Sequence, residues 1–396
     1  MADQHRFTAL VIGGGIMGLA ALEALTRLTR ESVGLLERFD VGLPHGSSHG
    51  SSRVARSTYS EAVYARLMRR AATEDWPRIE RESGEKLLLP SAGCFFGPAG
   101  GPVDGYLRAV RDAGFGEDLI EQLDPSEARR RYPSMRFDDC RYVLDDHTCA
   151  VTAASRTLAV LARLATERGA VIRKDTAVTA IDTDGLRARV ITADTVYWVD
   201  HVIVTAGAWA ERLVPALAAR LTPLRQTVAY LHPAGERDAF RLGHTPLWVE
   251  IGTGADRTHY ALPDLATGCL KIALHRISGT ADDPDADPGP DPAEIERLRQ
   301  VASRHMTIPI GDTERTETCL YTCTSNEDFI LDHAPGDSRV VVGAGFSGHG
   351  FKFAPLVGRI LAELAISGRC SVDEWNAERA RFAIQPSASA RSEKTT

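Results

Sequence analysis

The chain has 396 residues, with 46 Lys plus Arg against 53 Asp plus Glu and a formal net charge of −7. That length exceeds one ordinary core of about 100–200 residues and predicts roughly two domains; a net acidic chain also lacks the basic footprint of a general nucleic-acid binder. The 43% hydrophobic and 25% charged content excludes wholesale disorder, and the longest apolar run, residues 9–22, is glycine-interrupted and too short to span a bilayer.

Seven widely spread cysteines, an odd number, fit free thiols in a reducing compartment better than a disulfide framework. The N-terminal segment has no cleavage-site pattern, and Glu393-Lys394-Thr395-Thr396 is neither an ER-retention nor a peroxisomal address. A cytoplasmic location is therefore the expectation.

In chain order, residues 7–12 predict a buried strand. A glycine cluster follows, then a helix over 16–30 with apolar spacing at Leu19, Leu22 and Leu25. Residues 32–36 predict a second strand ending at Glu37, which opens a doubly wound α/β unit. Residues 67–76 predict a helix, with Pro77 as a stop or kink. Further helix signals run through 102–131. A strong amphipathic helix over 153–168 precedes a strand at 170–173, and 188–191 and 197–204 are strand-like. The middle of the chain carries strands at 228–231, 247–251 and 269–274. Residues 280–292, rich in Asp and Pro, predict an exposed excursion whose acidity serves solvation. A helix over 294–306, a strand at 340–342 and a helix over 356–367 follow, and the tail is expected to be disordered. No internal repeat is present.

Gly13, Gly15 and Gly18 match G-x-G-x-x-G between the first strand and helix. The first glycine permits the tight turn, the second lets backbone approach a pyrophosphate, and the third lets the helix pack on the strand. The helix N-terminus then offers amide groups to the phosphates. Glu37, 19 residues after Gly18, is placed to accept a ribose hydroxyl. This motif leaves FAD and NAD open. The strand ending at Thr205 runs into Ala206-Gly207-Ala208, a small turn of the kind many FAD proteins place near the dinucleotide.

Three further segments narrow the choice. Residues 46–56 (GSSHGSSRVAR) resemble a G-S-x-H-G-x-x-R-x-x-R stretch of the monomeric sarcosine oxidase and N-methyltryptophan oxidase family. Residues 318–322 (TCLYT) with 327–332 (EDFILD), and residues 343–353 (GAGFSGHGFKF), match the same family in the same order, so the resemblance covers nearly the whole chain. It implies an α/β fold: a Rossmann-type, glutathione-reductase-like FAD-binding domain interleaved with an α+β substrate domain on a mostly antiparallel sheet. The expected division is 1–85, 150–222 and 320–383 for the FAD-binding domain, 86–149 and 223–319 for the substrate domain, and 384–396 for the tail.

The resemblance also implies roles. Cys319 matches a cysteine bonded to the flavin 8α carbon, although Cys323 points to the same face by alternation. Lys271 matches a lysine over the flavin that activates oxygen, where a preplaced cation favours the anion formed as O2 takes an electron. Periodicity alone leaves Lys271 either buried or on a solvent-facing edge. Arg56 and Lys352 match the pair that binds the substrate carboxylate, with Glu61 a candidate to orient Arg56. His49 and Arg53 match residues beside the flavin, and Tyr260, Tyr321 and His275 match positions around the substrate. Met17, Arg38, Ser48, Val178, Gly207, Gly345, Gly348, His349 and Gly350 complete the expected cofactor site. Trp248 is a candidate substrate contact or plain core. No metal site is expected.

The implied reaction is oxidation of a secondary-amine amino acid to an imine, with O2 reduced to H2O2. An imine-forming oxidase of a cyclic amino acid, or a flavin dehydrogenase that does not use O2, are the alternatives. A longer turn at 252–257, bulky Trp248 and the acidic excursion depart from the small sarcosine-type pattern, so larger N-alkyl or cyclic substrates are as well matched as sarcosine. A monomer is expected, with no nucleic-acid or membrane partner.

Overall fold

The computed structural model of the chain describes residues 5–41, 45–253 and 258–384. The predicted tail lies outside these residues except for Ile384, as do positions 254–257 of the 252–257 turn. No helix among the described residues is long and apolar enough to cross a membrane.

Two large sheets position the site, each with eight strands among the described residues. In the first, Arg6–Ile12 lies parallel between Val33–Leu36 and Val196–Val204. Val171–Arg173 and Asp337–Ala344 extend this parallel core on either side. The central strands are continuous apolar runs because helices cover their faces. Helix Ile16–Leu28 packs against helix Ala354–Ser367, and a Cβ on Gly358 would stand 2.4 Å from the Ala20 carbonyl carbon. Glycine there lets the two helix backbones meet.

The second sheet runs in the order Ile310–Cys323, Thr222–Pro233, Leu270–Leu274, His259–Pro263, Leu247–Glu250, Gly93–Pro98, Cys140–Asp146, Ile120–Leu123. Its pairings are antiparallel except that Leu247–Glu250 runs parallel to Gly93–Pro98. A small sheet of Leu88–Pro90, Ala150–Ala153 and Ser52–Ala55 lies beside them. The expected boundary at 319/320 falls inside strand Ile310–Cys323, all of which belongs to the second sheet.

Several sequence expectations need correction. The helix expected at 67–76 begins at Ala62 and passes Pro77. It runs as Ala62–Arg70, a π turn Ala71–Asp75, and Trp76–Ser83 with the proline in its first turn. A first-turn proline needs no intrahelical donor, and the π turn re-phases the ladder before it. Residues 102–131 are not continuous helix: Val103–Asp112 is followed by strand Ile120–Leu123 and helix Pro125–Arg131, which Asp124 and Glu127 start as a capping box. Strand Ile310–Cys323 was hidden because its first half alternates charge with threonine rather than with apolar residues.

The acidic excursion forms no regular element before Pro292 but is not merely solvated. The Asp285 carboxylate accepts from Arg38 at 2.8 Å, Arg212 at 2.7 Å and the Trp209 indole at 2.9 Å. Asp282 accepts from the Arg225 amide at 2.7 Å. The excursion is thereby strapped across the first sheet's loops by directed pairs.

Candidate active site

The glycine turn is built as its spacing predicts. Gly13 has φ +103°, and a Cβ there would stand 2.6 Å from the Thr205 carbonyl oxygen. A Cβ on Gly18 would stand 1.8 Å from the Gly13 carbonyl oxygen. Larger residues at either position would separate strand, turn and helix. The Ile16 amide donates to Ser48 Oγ at 3.0 Å, which ties residues 46–50 to the helix N-terminus. The Glu37 carboxylate accepts from the Gly14 amide and, at 2.8 Å, from the Phe39 amide. The acid expected to meet a ribose thus also braces the turn.

A continuous cavity of about 750 Å³ extends from this turn to the glycine-rich loop after strand Asp337–Ala344. That is toward the upper end of the range for ligand pockets. Its walls include Gly13, Gly15, Met17, Glu37, Arg38, Ser48, His49, Arg53, Arg56, Val178, Gly207, Tyr260, Lys271, His275, Cys319, Tyr321, Gly345, Gly348, His349, Gly350 and Lys352. Gly18 acts behind the wall, through the helix packing described above.

Trp248 is not part of the cavity. It is fully buried on the opposite face of the second sheet, with its ring 6.1 Å from Phe96 and 5.6 Å from His305. Alternation decides this: its neighbours Leu247 and Val249 face the other core, and Val249 lines the cavity.

Lys271 is buried rather than on a solvent-facing edge. Its Nζ donates to the Ser52 carbonyl at 3.2 Å and lies 5.3 Å from the centroid of Tyr230. Burial and the nearby Arg53 push its ammonium down to about 7. Arg53 donates to the Ser52 carbonyl at 2.9 Å, the Ser47 carbonyl at 3.1 Å and the His49 carbonyl. Burial, Arg53 and Lys271 push His49 down to about 4, so its ring is neutral at pH 7.

Arg56 and Lys352 meet around Tyr59, a residue the sequence reading did not single out. Lys352 Nζ donates to the Tyr59 hydroxyl at 2.9 Å and to the His349 carbonyl at 2.8 Å. The Arg56 guanidinium lies 4.2 Å from the Tyr59 ring centroid and donates to the Thr58 carbonyl. Neither cation forms an ion pair with a carboxylate among the described residues. Glu61, the candidate partner of Arg56, instead pairs with Arg381 at 2.8 Å. Burial and Arg56 hold the Lys352 ammonium well below its ordinary value.

Cys319 and Cys323 do share a face, but only Cys319 lines the cavity. The Tyr321 hydroxyl is hydrogen-bonded to that of Tyr260, and burial pushes both phenols up. The glycines of the loop clear room chiefly for the protein's own side chains. A Cβ on Gly348 would stand 2.0 Å from the Tyr321 ring, and one on Gly350 would stand 2.6 Å from Phe346 Cβ. His275 Nε2 is 3.2 Å from Glu327 Oε2. Glu327 also lines the cavity; it lies in the matched segment 327–332 but was given no role, because Ser325-Asn326-Glu327-Asp328 reads as an ordinary polar turn.

These residues fit a flavin dinucleotide: a glycine turn into a helix N-terminus for pyrophosphate, an acid at the end of the second strand for ribose, and a cation-rich far end. The sequence profile of the FAD dependent oxidoreductase family matches residues 8–364. The chain is 30% identical over 374 residues to the monomeric sarcosine oxidase of Bacillus sp. (strain B-0618), covering 93% of this chain and 94% of that one. It is 32% identical over 382 residues to a probable sarcosine oxidase of Arabidopsis thaliana, covering 92% and 89%. The solved open form of NikD, an unusual amino acid oxidase essential for nikkomycin biosynthesis, superposes with a TM-score of 0.81 over 97% of this chain and 98% of that one, at 24% identity.

Proposed function

Because the chain belongs to the FAD dependent oxidoreductase family, we propose that it is an oxidase of secondary-amine amino acids, converting an N-alkyl or cyclic amino acid and O2 to an imine and H2O2. The observation that carries this reading is the Arg56–Lys352 pair. Two cations beside one ring, one of them buried, with no carboxylate partner among the described residues, are costly unless a ligand supplies the counter-charge. A substrate carboxylate does so, through charge-assisted hydrogen bonds and a bidentate contact to Arg56.

Docked in this way, the carboxylate fixes where the C–N bond lies along the cavity. When bound, FAD supplies the two-electron acceptor for C–N oxidation and passes the electrons to O2. In its protonated form Lys271 supplies positive charge in the same cavity, which favours reduction of O2 and weighs against a dehydrogenase. Cys319 is our assignment for a covalent tether to FAD, supported by its place on the cavity wall. The enzyme acts as a cytoplasmic monomer, and water hydrolyses the released imine.

The test is a peroxide assay on the flavin-loaded protein across a panel of N-methyl, larger N-alkyl and cyclic amino acids. Peroxide from carboxylated secondary amines, and none from the matching amines without a carboxylate, is expected. Absence of peroxide from the whole panel would overturn the reading.

A further inference from the structure

The substrate proposed above carries two charges at neutral pH. Arg56 and Lys352 answer the carboxylate, but a secondary amine in water is mostly an ammonium ion. It needs an anion in the cavity and must lose a proton before its nitrogen lone pair can assist oxidation. Six carboxylates line the cavity: those of Glu37, Asp40, Glu61, Glu317, Glu327 and Asp328.

Five of them are engaged elsewhere. Glu37 holds the Gly14 and Phe39 amides, and Asp40 pairs with Lys174 at 2.6 Å. Glu61 pairs with Arg381, and Glu317 accepts from Tyr230 at 2.8 Å and pairs with Arg315 at 2.6 Å. Asp328 accepts from Tyr64 at 3.1 Å and Arg381 at 2.7 Å. Among the described residues, only Glu327 of the six has no Lys or Arg partner and no donor amide. Its carboxylate meets His275 Nε2 at 3.2 Å, and its side chain keeps 38% of its surface exposed.

The backbone supports the same reading. Glu327 has φ +61°, a left-handed conformation that a glutamate adopts only under constraint. A turn holds it there: the Glu327 amide donates to the Thr324 carbonyl at 3.3 Å and the Asp328 amide to Asn326 Oδ1 at 3.2 Å. The Glu327 carbonyl meets His349 Nε2 at 3.0 Å, which ties this turn to the loop that carries Lys352. The position of the carboxylate is therefore set by the same loop as the carboxylate-binding cation.

We infer that Glu327 is the positioning residue for the substrate nitrogen: it supplies the counter-charge for the ammonium and holds His275 to take its proton. In that step the ammonium N–H bond breaks. A new N–H bond forms on the imidazole nitrogen that Glu327 does not engage, and the neutral amine remains. The Glu327 carboxylate balances the imidazolium, as an orienting acid does for a histidine base. The inference rests on the secondary-amine amino acid reading.

The ionisable groups facing this pair are Tyr59 and Tyr106, within electrostatic reach of Glu327, and Tyr321 and His349, beside His275. Burial pushes the three phenols up, and burial with Lys352 holds His349 well below its ordinary value. Lys352 can titrate nearby, so wild type and Glu327 variants are compared with Lys352 intact in both.

The experiment is anaerobic flavin reduction in the holoenzyme by N-methylglycine, or by the best substrate of the panel, between about pH 6 and 10, for wild type, Glu327→Gln and Glu327→Asp. A parallel titration follows the flavin absorbance with (methylthio)acetate, which has the carboxylate but sulfur in place of nitrogen. Glu327→Gln is expected to slow reduction at pH 7 by about 10²-fold or more, and to move the acid limb of kcat/KM downward by about one pH unit or more, because an imidazolium without its carboxylate gives up its proton more readily. Glu327→Asp should restore part of the rate, and (methylthio)acetate should bind all three proteins within about twofold. A Glu327→Gln profile superimposable on wild type would overturn the inference. So would a parallel loss of (methylthio)acetate affinity, which marks a purely structural role. Failure of wild-type flavin to be reduced by any carboxylated secondary amine would instead overturn the function beneath it, and the inference with it.

Discussion

Arg56 and Lys352 are held on one ring: the guanidinium lies 4.2 Å from the Tyr59 centroid, and the ammonium donates to the Tyr59 hydroxyl at 2.9 Å. Neither needs a protein carboxylate to stay in place, so both remain available to an incoming one. Arg56→Ala should raise KM for carboxylated amines by about 10–100-fold with a smaller change in kcat, the size of one lost charge-assisted bond. Arg56→Lys should recover only part of this, because it cannot present a planar fork. Steady-state kinetics on one substrate checks both.

Lys271→Met should slow reoxidation of the flavin by O2 by roughly two orders of magnitude or more, while anaerobic reduction by substrate survives. It should also change stability with a defined sign. The folded-state value of about 7 lies below the unfolded value of about 10.4. Between those values the unfolded chain binds more protons, so wild-type stability rises with pH. The stabilising effect of Lys271→Met should therefore be largest below about pH 7 and shrink toward about pH 10. Thermal melts across this window measure it; a constant difference would reject the buried-ammonium account.

His49 gives a second pH window. Its folded value of about 4 lies below the ordinary 6.5, so wild type should lose stability as pH falls from 6.5 toward 4. The whole contribution is about 3 kcal/mol. Replacement by Asn should flatten that part of the stability profile, read as Tm against pH.

Acid precipitation separates the two candidate tethers. Wild type and Cys323→Ser should leave yellow colour on the precipitated protein, and Cys319→Ser should release it to the supernatant. Colour in the supernatant from wild type would reject a covalent bond altogether.

Much of the site was legible because its signals are local. The Gly13–Gly18 turn needs only strand, glycine and helix in succession, and the cavity residues of the matched segments follow once those segments are aligned. What was not legible depends on which face of a strand a residue takes, or on partners far along the chain. Trp248 and Val249 are adjacent, yet only the second reaches the cavity. Tyr59 carries no motif and Glu327 no role within its matched segment, and their value comes from Lys352 and His275, 293 and 52 residues away. The acidity of 280–292 reads as solvation until Arg38 and Arg212 are found against Asp285.

Strand Ile310–Cys323 acts as a ruler for the site. Glu317, Cys319 and Tyr321 stand at alternate positions on its cavity side, in unbroken register with Val228, Gln226 and Leu224 of the neighbouring strand. A one-residue slip would turn all three away together. The irregularities in this pairing lie beyond Arg315, between Tyr230 and Pro233 of the partner, where bulges absorb an extra residue. Changes in chain length are therefore tolerable near residues 310–314 and intolerable from 317 to 323. Along this strand, evolution can lengthen one end freely while the chemistry at the other end stays in phase.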